Sequence, residues 1–469
     1  MCDTRSLENV GDESIYLRIQ DLKAGKIQFT DTTNAEKLKE IYGRDIRYNA
    51  AWKKWIVWDG KCWQIDDGAL IHEKGLEMVR GLYNEQLKTS DYRERMDIEK
   101  YAMLSESVRR REAFIKAASW IRELNISSEE LDTNPWLLNV RNGTIDIQSG
   151  EFREHRQEDM ITKIANVDYD PKADCPAWKQ FVREIMNFNG DLITFLQTVA
   201  GLAITGDVSE QSMFILFGSG ANGKSTFLNT VMYLLGDYGI TTTTDTFMKR
   251  NAEQITNDIA RLRGARFVTT TEIDQGKRLS EPLIKQITGN DKVTARFLYG
   301  EYFSYLPTYK IFMGTNHKPI IKGTDFGIWR RIKLIPFTTR IEADKQDKHL
   351  EEKLREEAPG ILNWLLEGTY RWLKEGLKVP DLISVATDDY KGEMDVIGNF
   401  LKECCIQSPG VSIRIRELFK AYQEWCEQNN ERAVSERLLS MRLKEMGFNR
   451  IRSAEARYWS GIMLKATAD

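Results

Sequence analysis

A chain of 469 residues, 41% hydrophobic and 29% charged, has room for about three domains with sizeable cores. Its net charge of −3 excludes nucleic-acid binding through the overall field, so any such contact needs local basic surfaces. Six cysteines without a C-x-x-C pair, four histidines, no apolar stretch of membrane-spanning length and no signal-peptide core exclude a disulfide scaffold, a zinc ribbon and a membrane span.

Residues 1–26 are polar and aperiodic and read as a tail. In the β-rich segment 27–75, Trp52, Trp55, Trp58 and Trp63 surround Asp59-Gly60, a hairpin signal. Such clustered aromatics are more often core or hairpin packing than a base-stacking platform. Residues 76–124 read as charged helix with a solvated Arg109-Arg110-Arg111 run, Asn142-Gly143 as a hairpin, and 178–203 as helix; together 76–204 form a mainly helical domain. Asp66-Asp67 and the Asp168, Asp170 pair sit in turn-like sequence, so no metal-dependent nucleotidyl-transfer domain is expected.

Next comes Gly218-Ser219-Gly220-Ala221-Asn222-Gly223-Lys224-Ser225-Thr226, after the apolar run Met213–Phe217 and before a helical pattern over 226–235. This is the complete spacing G-x-x-x-x-G-K-[ST] between a strand and a helix. Glycines let the backbone wrap phosphate oxygens at a helix N-terminus. Lys224, read as a surface group, reaches the β- and γ-phosphates, and Ser225 meets Mg²⁺. The motif implies a nucleoside triphosphate with its Mg²⁺.

Downstream, Arg266 to Asp274 reads as a core strand ending in Glu272 and Asp274, where Mg²⁺ and an attacking water need carboxylates. The stretch 283–307 reads as a helix, a glycine break and a hairpin with its tip near Tyr299-Gly300. A third strand, 309–315, ends in Asn316-His317-Lys318-Pro319, where Asn316 is either a turn cap or a contact to the γ-phosphate or water. Arg330-Arg331 precede another strand, as surface charge or as a residue reaching a neighbouring subunit's phosphate. These pieces define an ATPase core over 205–340.

Residues 347–376 read as helix with Ile361, Leu365, Gly368 and Trp372 on one stripe, giving a helical lid over 341–378, and 379–395 reads as a less regular connector. In 396–469, three helices and a two-stranded hairpin make a winged-helix pattern. Arg437, Ser440 and Lys444 share one face of its third helix, with Leu438, Leu439 and Leu443 inward, and Arg450, Arg452 and Arg457 lie on the wing. That basic face suits duplex DNA or, alternatively, a protein partner.

Taken in order, the loop 218–226, Glu272, Lys285 to Asp291, Ala295 to Tyr299, Thr315 to Pro319 and Trp329 to Phe337 resemble the superfamily 3 DNA helicases. The resemblance is to the phage/plasmid primase–helicase group with its poxvirus relatives. Upstream, Leu138 to Asp146 and Tyr169 to Trp178 resemble the helical domain that precedes the ATPase in that group. The resemblance implies an AAA+-type parallel sheet flanked by helices, in a ring, usually a hexamer, around DNA.

By the same resemblance Lys224 and Ser225 serve phosphate and Mg²⁺, and Asn316 is the sensor. Glu272 and Asp274 share Mg²⁺ and water, with the ligand between them left open. Arg330 or Arg331 is the trans-acting finger. Lys292, Arg296, Tyr299 and Tyr302 face the DNA channel, although Tyr299-Gly300 stands where some relatives carry Lys-His. The expected function is ATP-driven, 3′-to-5′ unwinding in the cytoplasm of a bacterial host carrying a phage or plasmid, with a separate primase or polymerase as possible partner. A DNA-bound switch that melts an origin without processive unwinding is the alternative.

Overall fold

The computed structural model describes residues 30–465 apart from 86, 88–89, 250–256, 271, 299, 324, 343, 345, 430 and 453–455. The chain divides into two compact units, Met1–Ala165 and Asn166–Asp469. Among the described residues no helix is long and apolar enough to cross a membrane.

The first unit starts with helix α1 (Asp31–Tyr42), capped by the Thr30 side chain. An antiparallel sheet of β1 (Ile46–Asn49), β2 (Lys54–Trp58) and β3 (Trp63–Asp66) follows. The turn before β3 is the expected Asp-Gly hairpin. Gly60 takes φ +98°, and the Asp59 carboxylate accepts the Lys61 and Cys62 N–H groups at 2.7 and 2.8 Å. Trp55 and Trp63 are buried, so this tryptophan cluster is packing and not an exposed stacking platform.

Asp66 is likewise structural: its carboxylate accepts the Leu70 and Ile71 N–H groups, both at 3.0 Å, at the start of α2 (Ala69–Glu85). Helices α3 (Tyr92–Ser105) and α4 (Val108–Ala118) complete the helical part, where Phe114 and Ile115 pack with Leu38, Trp55 and Val79. A small sheet of β4 (Leu137–Val140), β5 (Gly143–Asp146) and β6 (Phe152–Arg153) contains the predicted Asn142-Gly143 hairpin.

The second unit opens with α5 (Pro176–Ile185) and α6 (Gly190–Leu202). The single helix expected over 178–203 is broken because Asn187 and Phe188 take φ +49° and +57°, and the Asn189 side chain then caps α6 at Leu192 N (3.0 Å). Five parallel strands follow: β7 (Met213–Phe217), β8 (Gly239–Thr242), β9 (Phe267–Thr270), β12 (Lys310–Thr315) and β13 (Ile332–Pro336), in spatial order β13-β7-β12-β9-β8. Both faces are apolar, as a sheet covered on two sides requires. Phe214, Phe312 and Phe267 form a ring ladder on one face, at centroid spacings of 4.9 and 4.7 Å. Ile215, Val268 and Met313 join the core on the other.

Between the strands lie α7 (Lys224–Leu235), α8 (Asn257–Arg261), α9 (Glu281–Ile287), the hairpin of β10 (Val293–Arg296) and β11 (Tyr302–Tyr305), and the short α10 (Phe326–Trp329). After the sheet come α11 (Leu350–Glu356) and α12 (Ala358–Glu375), with Ile361, Leu365, Gly368 and Trp372 buried as the stripe predicted. Helices α6 and α12 cross with their backbones touching. A Cβ on Gly201 would overlap the Thr369 nitrogen and Leu365 carbonyl, and one on Gly368 the Gln197 carbonyl. The Thr369 hydroxyl donates to Gly201 O at 2.8 Å across this crossing.

The stretch read as an irregular connector contains α13 (Asp381–Met394), which buries Ile383 and packs Tyr390 into the sheet's core. A one-residue joint, Asp395, leads to α14 (Val396–Cys404), β14 (Cys405–Arg414), α15 (Ile415–Gln428), α16 (Glu436–Glu445), β15 (Asn449–Arg452) and β16 (Arg457–Leu464). The three strands form an antiparallel sheet ordered β14-β16-β15 around Phe400, Leu418, Tyr422 and Trp459. Strand β14 was not foreseen; its Ser408-Pro409-Gly410 reads as a turn, and the pairing with β16 shifts register there.

Candidate functional site

The carboxyl edge of the parallel sheet gathers the residues that the sequence singled out. Strand β7 ends at Phe217, and the loop 218–223 carries three left-handed residues, Gly220, Ala221 and Gly223, with φ of +97°, +47° and +82°. Gly218 has no room for a Cβ, which would meet Phe337 O and Asn222 Nδ2. Loop and neighbouring chain are tied by Asn222 Nδ2 donating to Phe337 O (3.2 Å) and Ile341 N to Ala221 O (2.7 Å). At the start of α7, Gly223 supplies no side-chain cap, so the first-turn N–H groups stay available to an anion. Ser225 is exposed beside them.

Lys224 is buried, at 6% exposure, and is not the surface group its motif suggested. Its ammonium donates to Gly218 O at 2.7 Å, Asn222 Oδ1 at 3.0 Å and Asn316 Oδ1 at 3.1 Å. Burial pushes the Lys224 ammonium below its ordinary pKa, and the Glu272 charge opposes that shift. Asn316, just past the end of β12, donates from Nδ2 to Glu272 Oε1 at 3.3 Å. Three segments far apart in sequence are thus linked as Lys224–Asn316–Glu272.

Glu272 follows the end of β9 and is exposed, its carbonyl held by the Thr244 hydroxyl at 3.1 Å. Asp274, two residues on, is exposed and outside this chain of bonds. Among the described residues no cluster of three or more His, Cys, Asp or Glu forms a dedicated metal cage. Ser225 and one carboxylate still suit a hard divalent cation that keeps waters and substrate phosphates as its other ligands. We expect Glu272→Gln to retain nucleotide binding and lose hydrolysis by at least about a hundredfold, with Asp274→Asn much milder. Nucleotide affinity and single-turnover hydrolysis measure both; the reverse ranking of the two variants exchanges their roles.

The arginine pair lies at the opposite edge of the sheet. Arg331 N–H neighbours the start of β13, whose first residue, Ile332, pairs with Met213 at the start of β7. Arg331 is buried and bonded within its own subunit, through Nε to Thr288 Oγ1 (3.1 Å) and Nη1 to Gly327 O (2.6 Å). Burial and the Arg330 charge depress the Arg331 pKa. Arg330 is exposed and rests on the Gln211 side chain. Gln211, which also receives Arg331 Nη2 at 3.4 Å, carries no motif and was not legible as a partner.

On the β10–β11 hairpin, Lys292 is exposed and the Arg296 guanidinium lies 4.8 Å from the Tyr302 ring centroid. Tyr302, Phe297 and Leu298 are exposed at 66%, 44% and 52%, so the tip is more apolar than the sequence reading emphasised. Tyr299 lies outside the described residues. In the C-terminal unit Arg437, Lys444, Arg450 and Arg452 are exposed, Arg450 over the Trp459 ring at 5.0 Å. Ser440 corrects the predicted face of α16: it is buried, while Leu438 and Met441 point outward.

Residues 35–187 match the family model described as D5 N terminal like, and 392–453 the model described as Poxvirus D5 protein-like. Two segments of the chain thus match D5-type domain models. Residues 216–331 match a family of unknown function (DUF5906). A protein of Acanthamoeba polyphaga mimivirus named "Putative helicase" is 29% identical over 326 residues, covering 64% of this chain and 34% of the relative. An African swine fever virus protein named "Putative primase" is 24% identical over 347 residues, covering 67% and 36%. The chain therefore spans about a third of the length of these two relatives. The structure titled as the apo NrS-1 C terminal region aligns at a TM-score of 0.49 and 8% identity, over 92% of this chain and 98% of that one.

Proposed function

We propose that this D5-type chain is an AAA+-type, superfamily 3 ATPase that unwinds DNA as a ring, with ATP and Mg²⁺ as cofactors. The observation that carries the reading is the convergence of Lys224, Asn316 and Glu272 beneath an uncapped helix N-terminus. A phosphate chain on the loop's N–H groups would take Lys224 as its counter-charge. Glu272 would then be free to orient a water, with Asn316 between them to register loss of the γ-phosphate. Mg²⁺, held by Ser225 with Glu272 or Asp274, would supply charge neutralisation on the phosphate oxygens. Arg330 would serve the site of the next subunit.

DNA would meet the exposed Lys292 and Tyr302 and the half-buried Arg296 at the hairpin, where cationic and aromatic groups suit a single strand. The C-terminal unit, read as a winged helix, would meet duplex through Arg437, Lys444, Arg450 and Arg452. The names of the viral relatives support replication of a virus or another mobile element as the setting; a hexamer, 3′-to-5′ movement and a primase or polymerase partner are the working form we propose.

The test is ATP turnover with and without single-stranded DNA, strand displacement, and mass measurement with an ATP analogue. We expect DNA to raise turnover at least about fivefold, together with unwinding and a multimer. Stimulated turnover without strand displacement would favour the origin-melting switch, and no turnover would refute the ATPase reading.

A further inference from the structure

The Asn316-His317-Lys318-Pro319 loop carries a second charged group whose place the phosphate chemistry does not explain. Lys318 is only 18% exposed, and its ammonium donates to both oxygens of Glu393, at 2.7 and 2.8 Å. The same ammonium lies 5.1 Å from the ring centroid of Phe217 and 5.5 Å from that of Tyr390. Phe217 is the last residue of β7, directly before Gly218, whereas Tyr390 and Glu393 belong to the last turns of α13.

Tyr390 is buried, its hydroxyl donates to Pro319 O, and its ring meets Trp329 edge-on at 5.2 Å. Thr387, one turn earlier, accepts the Leu334 N–H at 3.1 Å, docking α13 on β13. An isolated exposed ion pair contributes little. Here a bidentate pair, two ring contacts and a buried hydroxyl act on one four-residue loop.

We propose that Lys318 is a positioning residue for hydrolysis: with Glu393 and Tyr390 it clamps the Asn316 loop to α13 and so holds Asn316 between Lys224 and Glu272. The inference rests on the ATPase reading above. It gives α13 a role the sequence hid, because the clamp stands one joint residue from the first helix of the C-terminal unit. That joint is itself bonded, by Gly398 N to Asp395 Oδ1 and Asn399 Nδ2 to Gly392 O, both at 3.0 Å.

Lys318→Met and Glu393→Gln are each expected to lower kcat for ATP at least about tenfold, since small displacements of reacting groups are costly. KM should stay within about twofold, because the loop's phosphate contacts are intact. The double variant should be no worse than either single one. Lys318→Arg should keep kcat within about threefold, since a guanidinium can still pair with both Glu393 oxygens. Amide exchange gives a readout independent of turnover. In Lys318→Met the His317 and Ile320 N–H groups, now bonded to Thr315 Oγ1 and Lys277 O, should exchange at least about tenfold faster.

Unchanged kcat or unchanged exchange in Lys318→Met overturns the clamp. A loss in Lys318→Met that Glu393→Gln does not share also overturns it, because the lysine would then act on phosphate itself. A wild-type chain that turns over no ATP refutes the ATPase reading instead, and the exchange comparison still decides the clamp.

Discussion

Lys224→Met is expected to abolish ATP turnover, by at least about a hundredfold, without lowering the melting temperature. The two halves of this result have separate causes. Turnover falls because the one ammonium buried at the loop is lost. Stability holds because relief of the ammonium's desolvation offsets the loss of its hydrogen bonds to Gly218 O, Asn222 Oδ1 and Asn316 Oδ1, which are neutral oxygens. A buried cation without a close counter-charge costs folding free energy, and methionine fills a similar volume without that cost. Asn222 also keeps its bond to Phe337 O. Turnover and calorimetry on the same preparation check both halves; turnover near the wild-type level removes Lys224 from the chemistry.

Arg330→Ala should reduce turnover by about 10³-fold at unchanged stability, and Arg331→Ala should instead destabilise the chain. The pair sits beside the start of β7, whereas the phosphate loop follows its end, five residues and about 16 Å along the sheet. Arg330 therefore cannot serve the loop of its own subunit. Arg331, buried against Thr288 and Gly327 O, leaves those acceptors unpaired when removed, at about 1–3 kcal/mol. Mixing Arg330→Ala with Lys224→Met subunits should restore part of the turnover, because some interfaces then join an intact loop to an intact arginine. Demonstrated mixing without recovery would mean that Arg330 acts only structurally, through its contact with Gln211.

What the sequence made legible was local. The loop 218–225 announces itself because its backbone needs glycines at fixed places, and the Asp59-Gly60 and Asn142-Gly143 hairpins because two residues determine each turn. The helix α13 was obscured because Ile383 and Tyr390 are its only fully buried residues, too sparse a stripe to stand out. The inward turn of Ser440 was obscured because Leu438, outside, is the more apolar residue. Asn316 was foreseen as a strand-end residue, but its bridge from Lys224 to Glu272 joins positions 92 and 44 residues away, which spacing cannot reveal. Lys318 could have been flagged by its place in the Asn-x-x-Pro loop, but its partner Glu393 lies 75 residues on, in the stretch that looked irregular.

The glycine crossing of α6 and α12 has a mechanical meaning. The chain enters the parallel-sheet segment just after Leu202 and returns to α12 at Ala358, so that segment is a loop closed by one helix pair. Tension applied at the outer ends of α6 and α12 meets that closure before it reaches the sheet. The entry is fastened again by Arg266 Nη1 on Ile204 O at 2.6 Å and by Lys310 on Thr205 O. Load drawn through the outer ends would be borne by a close backbone-to-backbone seam that the Thr369 hydroxyl also ties. The five parallel strands would remain slack while those two helix ends are pulled, whereas a pull on the chain beyond α12 reaches β13 directly through Tyr390 and Thr387 of α13.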